Sequence, residues 1–150
     1  VAPVEQADIL PDPRDGFNAK VEALLGLRLP NAVFDAGDPT VPLDFSRAPR
    51  LDLIVVSYLD LKADFSGAIV ARLLRYHAER GTPIRILVTA RLENAKDRAL
   101  FEGLAADFPN VQIQLFQWEP LPFASVGERI DALHRTHHVK LFLTLSPQPG

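Results

Sequence analysis

The sequence contains no cysteine, which excludes disulfides, thiolate metal sites and a cysteine nucleophile, though it does not identify the compartment. No apolar run reaches the roughly 18 residues that a membrane-spanning helix needs. No glycine-rich phosphate loop follows a candidate strand, which counts against a doubly wound nucleotide binder. Internal repeats and low-complexity segments are absent. Nor is there an excess of positive charge: 16 Lys and Arg face 19 Asp and Glu, giving a net charge of -3. That balance argues against broad, nonspecific nucleic-acid binding but leaves room for a local basic pocket. The sequence starts Val-Ala-Pro without an initiator methionine, so a processed chain or a fragment is expected, and the protein is expected to be soluble, exported or peripheral to a membrane.

What is present is a core. Hydrophobic residues make up 47% of the 150, enough for one substantial domain. The chain is organised around Leu51 to Ala90. LDLIVVSY is a short, β-branched apolar run, as expected of a strand buried on both faces. In AIVARLLRYHAER, Ile69, Val70, Leu73, Leu74 and His77 share one helical face, while Arg72, Arg75, Glu79 and Arg80 point away. Either Asp64 or Ser66 can cap this helix, and Gly81 fits the left-handed position after it. Pro83 stops continuation, and Ile84 to Thr89 reads as a second buried strand. Strand, helix, strand in that order predicts a parallel crossover. The fold class is therefore α/β, with a central mostly parallel or mixed sheet flanked by helices.

Before this unit, Val1 to Pro13 reads as an arm. Asp15 is placed to cap a helix with an apolar stripe of Phe17, Val21, Leu24 and Leu25, ending near Gly26 or Leu27. Residues 30–50 are rich in proline and read as a long irregular connection pinned by Val33, Phe34 and Phe45; such a loop usually covers something. Arg47 and Arg50 fit a solvated edge better than an anion site. After the unit, Glu93 to Asp107 is a second amphipathic helix, with Leu100, Phe101, Leu104 and Phe108 on its buried side. Val111 to Phe116 alternates as a half-exposed strand near a sheet edge. A short helix is expected from about Ser125 to His134, with Ile130 and Leu133 facing in. The arm and first helix (1–30) are thus set apart from an α/β domain (31–150).

The chemistry concentrates in His134-Arg-Thr-His-His-Val-Lys-Leu-Phe-Leu-Thr-Leu145. Val139 to Leu145 reads as another core strand. Residues two apart on a strand face the same way, so His138 and Lys140 project together. An imidazole beside an ammonium suits phosphoryl chemistry, because the nitrogen attacks phosphorus while the cation neutralises the non-bridging oxygens. The bland alternative is a strand end that happens to carry polar residues. His134, His137 and His138 lack a matching third-ligand pattern, so no metal site and no cofactor are expected. His77, on an apolar helix face, reads as a core or boundary histidine. Tyr58 and Asp64 stand where the first strand's carboxyl end opens, the usual ligand position in α/β proteins, although Asp64 also suits a helix cap.

The order Tyr58, Asp64-Phe-Ser-Gly67, Arg80-Gly81-Thr-Pro-Ile-Arg85 and His138-Val-Lys140 resembles the first half of a phospholipase D superfamily protein of the cardiolipin-synthase-like or phospholipase D-like kind. The resemblance covers about two-thirds of the chain, and its individual motifs are short. It implies a phospholipase D-like half-domain, truncated at its C-terminus, in which His138 is the nucleophile that forms a phosphohistidine. Lys140 is then the phosphate clamp, with Tyr58 and Asp64 in the substrate-binding set. The family motif is His-x-Lys followed, after four further residues, by Asp; Leu145 holds that place here. No second His-x-Lys occurs, so the resemblance implies a missing C-terminal half or a second copy to complete the site.

The function expected on this basis is phosphodiester hydrolysis or phosphatidyl transfer, on a phospholipid or another phosphodiester, with peripheral membrane contact as a further expectation. The acidic balance favours phospholipid headgroups over DNA. The isolated 150 residues are expected to be inactive. The alternative is a noncatalytic α/β binding or assembly module, for which the missing Asp would be the sign. A small-molecule binder of doubly wound type is the third class.

Overall fold

Short β-branched runs form the middle of a four-stranded sheet. The computed structural model describes residues 12–58, 62–89, 94–116, 123–128 and 140–147. Strand β1 (Leu53–Tyr58) pairs in parallel with β2 (Ile84–Thr89), and β2 pairs in parallel with β3 (Val111–Phe116). On the other side β1 pairs antiparallel with β4 (Leu141–Leu145), so the order is β3-β2-β1-β4. The chain is an α/β protein with a mixed sheet.

Helix α3 (Phe65–Glu79) joins β1 to β2, and α4 (Ala95–Asp107) joins β2 to β3. Of the two caps open to α3, Asp64 is used: its carboxylate accepts the Gly67 N–H at 2.9 Å. Asn94 caps α4 by accepting from Lys96 and Asp97. The expected stripe Ile69, Val70, Leu73, Leu74 and His77 is buried, and on α4 so are Phe101 and Leu104. These side chains meet Ile54, Val56, Ile84, Ile86, Val88 and Val111 in one apolar cluster. Full burial of each such side chain contributes about 1.5–3 kcal/mol. Arg72, read as pointing outward, instead reaches back from α3 to donate to the carbonyls of Pro39 and Val41.

Helix α1 (Pro13–Leu25) belongs to the same core through Val21, Leu24 and Leu25. Its cap is Asp12, not Asp15. Pro13 at the first helical position fixes the start one turn earlier, and Asp15 pairs with Arg28 instead. The helix ends at Gly26 in the left-handed conformation (φ 72°). The 30–50 connection is less irregular than its prolines imply, because Asn31–Ala36 forms a short helix, α2. Val33, Phe34 and Phe45 do pin it. Phe34 packs edge-on to Phe17 and Phe65, and Phe45 stacks on Tyr76 of α3 with ring centroids 4.1 Å apart.

Two strand readings need correction. β1 buries Ile54 and Val56 fully, but Leu53 and Val55, on its other face, are only half-buried. The expected core strand near residue 139 is the antiparallel edge strand β4, and it starts at Leu141. Its register with β1 puts Leu141, Leu143 and Leu145 on the face away from the helices, where they remain 43%, 40% and 46% exposed. Gln112 and Gln114 of the opposite edge strand share that face. β3, expected near an edge, is at one. At residues 123–128, Ser125 and Glu128 form a reciprocal cap, each accepting the other's backbone N–H. The remainder of the helix expected to His134 lies outside the described residues. Among the described residues no helix is long and apolar enough to cross a membrane.

Candidate functional site

Because β4 runs antiparallel to β1, its first residues lie at the carboxyl end of β1. Ser57 pairs with Leu141, so Lys140, one residue before the strand, stands at the end of the sheet where β1 finishes with Tyr58. Lys140 is exposed, immediately before the strand. His138, which the resemblance implies as the nucleophile, lies outside the described residues, as do His134 and His137. Among the described residues no cluster of potential ligands could hold a metal ion.

At this end of β1 opens a pocket of about 200 Å³. Tyr58 and Asp64 both line it, so two positions chosen from the sequence come together. Phe17, Val56, Val70 and Phe142 form its apolar wall, and Lys20, Lys62 and Ser66 add polar groups. The Lys20 ammonium sits 4.7 Å from the centre of the Tyr58 ring. A cation held over an aromatic face in this way is worth about 0.5–1 kcal/mol where solvent reaches it.

The rim of the pocket is set by two close contacts. First, the carbonyl of Lys62 packs against the first turn of α3 at Gly67; a β-carbon there would lie 1.7 Å from that oxygen. Only glycine permits the approach. Second, Asp97 at the start of α4 is buried and accepts the Ala63 N–H at 2.7 Å and the Lys62 ammonium at 3.3 Å. Those interactions, the Ala63 N–H foremost and Lys62 after it, hold the Asp97 carboxyl below its usual range against the opposing effect of burial. The segment 62–64 is therefore pinned from both helices. Asp64 has the cap of α3 as its observed role.

Sequence reasoning missed Lys20 and Asp97. Lys20 lies four residues before Leu24 on a helix read only for its apolar stripe, and nothing in its neighbourhood points to β1. Asp97 had a legible signal: Asn94-x-x-Asp97 marks a helix start, where acidic groups are favoured. Arg47 and Arg50 precede β1 and so belong to the opposite end of the sheet. There Arg50 lines a larger, polar groove of about 480 Å³ with Tyr76, Arg80 and Thr82. Arg80 is already engaged in that groove, stacked 3.4 Å from the Tyr76 ring and donating to the Tyr76 carbonyl.

Comparison with family models, with curated proteins and with solved structures finds no match to this chain.

Proposed function

We propose that the chain acts on phosphodiesters as the N-terminal half-site of a phospholipase D-like protein. The observation that carries this reading is the antiparallel docking of β4. It brings the start of β4, which Lys140 immediately precedes, to the carboxyl end of β1, where a pocket presents Tyr58, Lys20, Lys62 and Ser66. A pocket of apolar walls with the Lys20 ammonium at its edge suits a phosphoryl group that carries an organic substituent.

In the proposed reaction the His138 imidazole nitrogen attacks phosphorus, forming an N–P bond as one P–O bond breaks. The departing alkoxide takes a proton from an acid supplied by the complementary half-site. Water, or an acceptor alcohol, then attacks phosphorus, forming an O–P bond as the N–P bond breaks and giving its proton to the conjugate base of that acid, so imidazole and acid are both regenerated. Lys140 neutralises the phosphoryl oxygens during both steps, a contribution typically of a few kcal/mol. Leu145 stands where the family motif has Asp, and its side chain on the far face of β4 supports the second reading, a noncatalytic assembly module.

The test uses a form that includes the complementary half. Incubation with a labelled phosphodiester followed by acid-free denaturation should leave label on His138, located by peptide mass. His138→Asn should abolish turnover and label together. Label on His137 or His134, or full activity in His138→Asn, would remove the assignment; the 150 residues alone should not turn over substrate.

A further inference from the structure

We propose that Lys20, on α1 and outside the stretch that carries the family resemblance, seats a phosphoryl oxygen in the Tyr58 pocket, with a compact apolar ester arm lodged against Phe17, Val70 and Phe142. The proposal rests on the phosphodiester reading and names both a binding residue and the kind of ester that fits.

Charge selects Lys20 over its neighbour. Lys62 also lines the pocket, but its ammonium is paired with the buried Asp97 carboxylate. The Asp64 carboxylate is turned to the Gly67 N–H as the α3 cap. For Lys20 the described contact is the Tyr58 ring, which engages the cation through its π face. An ammonium has three N–H donors and a ring face does not satisfy them, so an anion entering beside Tyr58 meets a positioned donor.

The helix that carries Lys20 is held firmly. Two residues earlier, the buried Asn18 side chain donates to the Leu29 carbonyl at 3.2 Å and accepts the Leu29 N–H at 2.9 Å. Four residues later, the Leu24 carbonyl is hydrogen-bonded to His77 of α3 at 2.8 Å. Lys20 therefore projects from a clamped scaffold, and less side-chain and backbone freedom is lost when it binds.

Size and lining define the ligand. About 200 Å³ corresponds to roughly six or seven waters at about 30 Å³ each, below the roughly 300–1,000 Å³ of pockets for drug-sized molecules. It accommodates a phosphoryl group and one short substituent, and anything longer extends through its open side into solvent. Phe17, Val56, Val70 and Phe142 give that substituent an apolar wall. A short aryl or alkyl phosphate ester matches both halves of the pocket, and inorganic phosphate matches only the cationic half.

The experiment is calorimetric titration of the 150-residue chain at low salt with phenyl phosphate, inorganic phosphate and phenol. Phenyl phosphate should bind at least about tenfold more tightly than inorganic phosphate, and phenol should bind more weakly than both. Lys20→Gln should weaken phenyl phosphate by about ten- to a hundredfold, the range expected for one lost charge-assisted hydrogen bond. Lys20→Arg should restore most of the affinity, which a purely structural role for Lys20 would not require, and both variants should stay folded, with Lys20→Gln melting no more than about 4 °C below the parent for the lost ring contact. As a second readout, ring-current shifts from phenyl phosphate should appear at the Val56 and Val70 methyls. Unchanged affinity in Lys20→Gln, equal binding of phenyl and inorganic phosphate, or shifts confined to other methyls would overturn the proposal. The phosphodiester reading is judged separately by the His138 adduct, so unchanged binding in Lys20→Gln beside label on His138 would sink this inference alone.

Discussion

The imidazole of His77 on α3 lies 2.8 Å from the carbonyl oxygen of Leu24 on α1, inside the core. A carbonyl only accepts, so Nε2 carries the proton and the ring is held in one neutral tautomer. This bond ties the helix bearing Lys20 to the helix that opens at the pocket. It also makes the core sensitive to acid.

Burial first, and then the neighbouring Arg80 charge, hold the His77 pKa below its ordinary 6.5, outweighing the hydrogen bond to Leu24. The unfolded chain therefore takes up this proton at higher pH than the folded one. Stability associated with neutral His77 is complete above about pH 6.5 and is lost as pH falls from there toward the folded-state value. Thermal melts between about pH 7.5 and 5 should show a steeper fall for the parent than for His77→Gln. Parallel slopes would show that His77 does not titrate as described.

Asp97→Asn should lower the melting temperature at neutral pH, because the neutral amide accepts the Ala63 N–H less strongly and loses the Lys62 pair. The Asp97 carboxyl has a folded-state pKa below its ordinary 3.8, so its contribution is present above that value and disappears as pH falls through the folded-state one. The gap between parent and variant should accordingly close in strong acid. Amide exchange at Ala63 should speed up at neutral pH.

Gly67→Ala places a methyl group onto the Lys62 carbonyl, and backbone must move to relieve it. A cost of about 1–3 kcal/mol is expected, the usual range for overpacking. Phenyl phosphate affinity should fall with it, since the same segment forms the pocket rim. Calorimetry on the folded variant checks both effects.

The two faces of the sheet should respond differently to truncation. Leu74→Ala, at a fully buried position on α3, should cost about 2–5 kcal/mol in chemical denaturation. Leu143→Thr, on the exposed face of β4, should stay within about 0.5–1 kcal/mol of the parent. It should also raise solubility, because an apolar edge strand invites pairing with other chains.

Periodicity made β1, α3, β2, α4 and β3 legible, since each is long enough to display its period and alternates with the next in a βαβ pattern. Strand direction was not legible at β4. Leu-Phe-Leu-Thr-Leu is apolar at nearly every position, so it reads as doubly buried, and no residue in it records that one side is an antiparallel edge. The six residues of α2 are too few to show a helical period among prolines. Asp12 was a missed signal, because Asp followed by Pro at the first helical position marks a start more strongly than Asp15 does. That Tyr58 and Asp64 lie near one another was legible because both flank the carboxyl end of the first strand, and both line the pocket there. Lys20 was not, because its proximity to Tyr58 depends on how α1 docks.

The pairing of β1 with β4 has a consequence for folding. It joins the first strand of the sheet to the last, the most sequence-distant pairing in it. β1, β2 and β3 pair with near neighbours in sequence, whereas closing β4 onto β1 first requires the ends of a much longer loop to meet. Loop closure carries an entropic cost, and distant contacts slow folding. In refolding experiments, helical signal should therefore recover ahead of the proposed phosphate-ester binding, and a nascent chain would acquire its parallel core while the pocket still lacks its Phe142 wall.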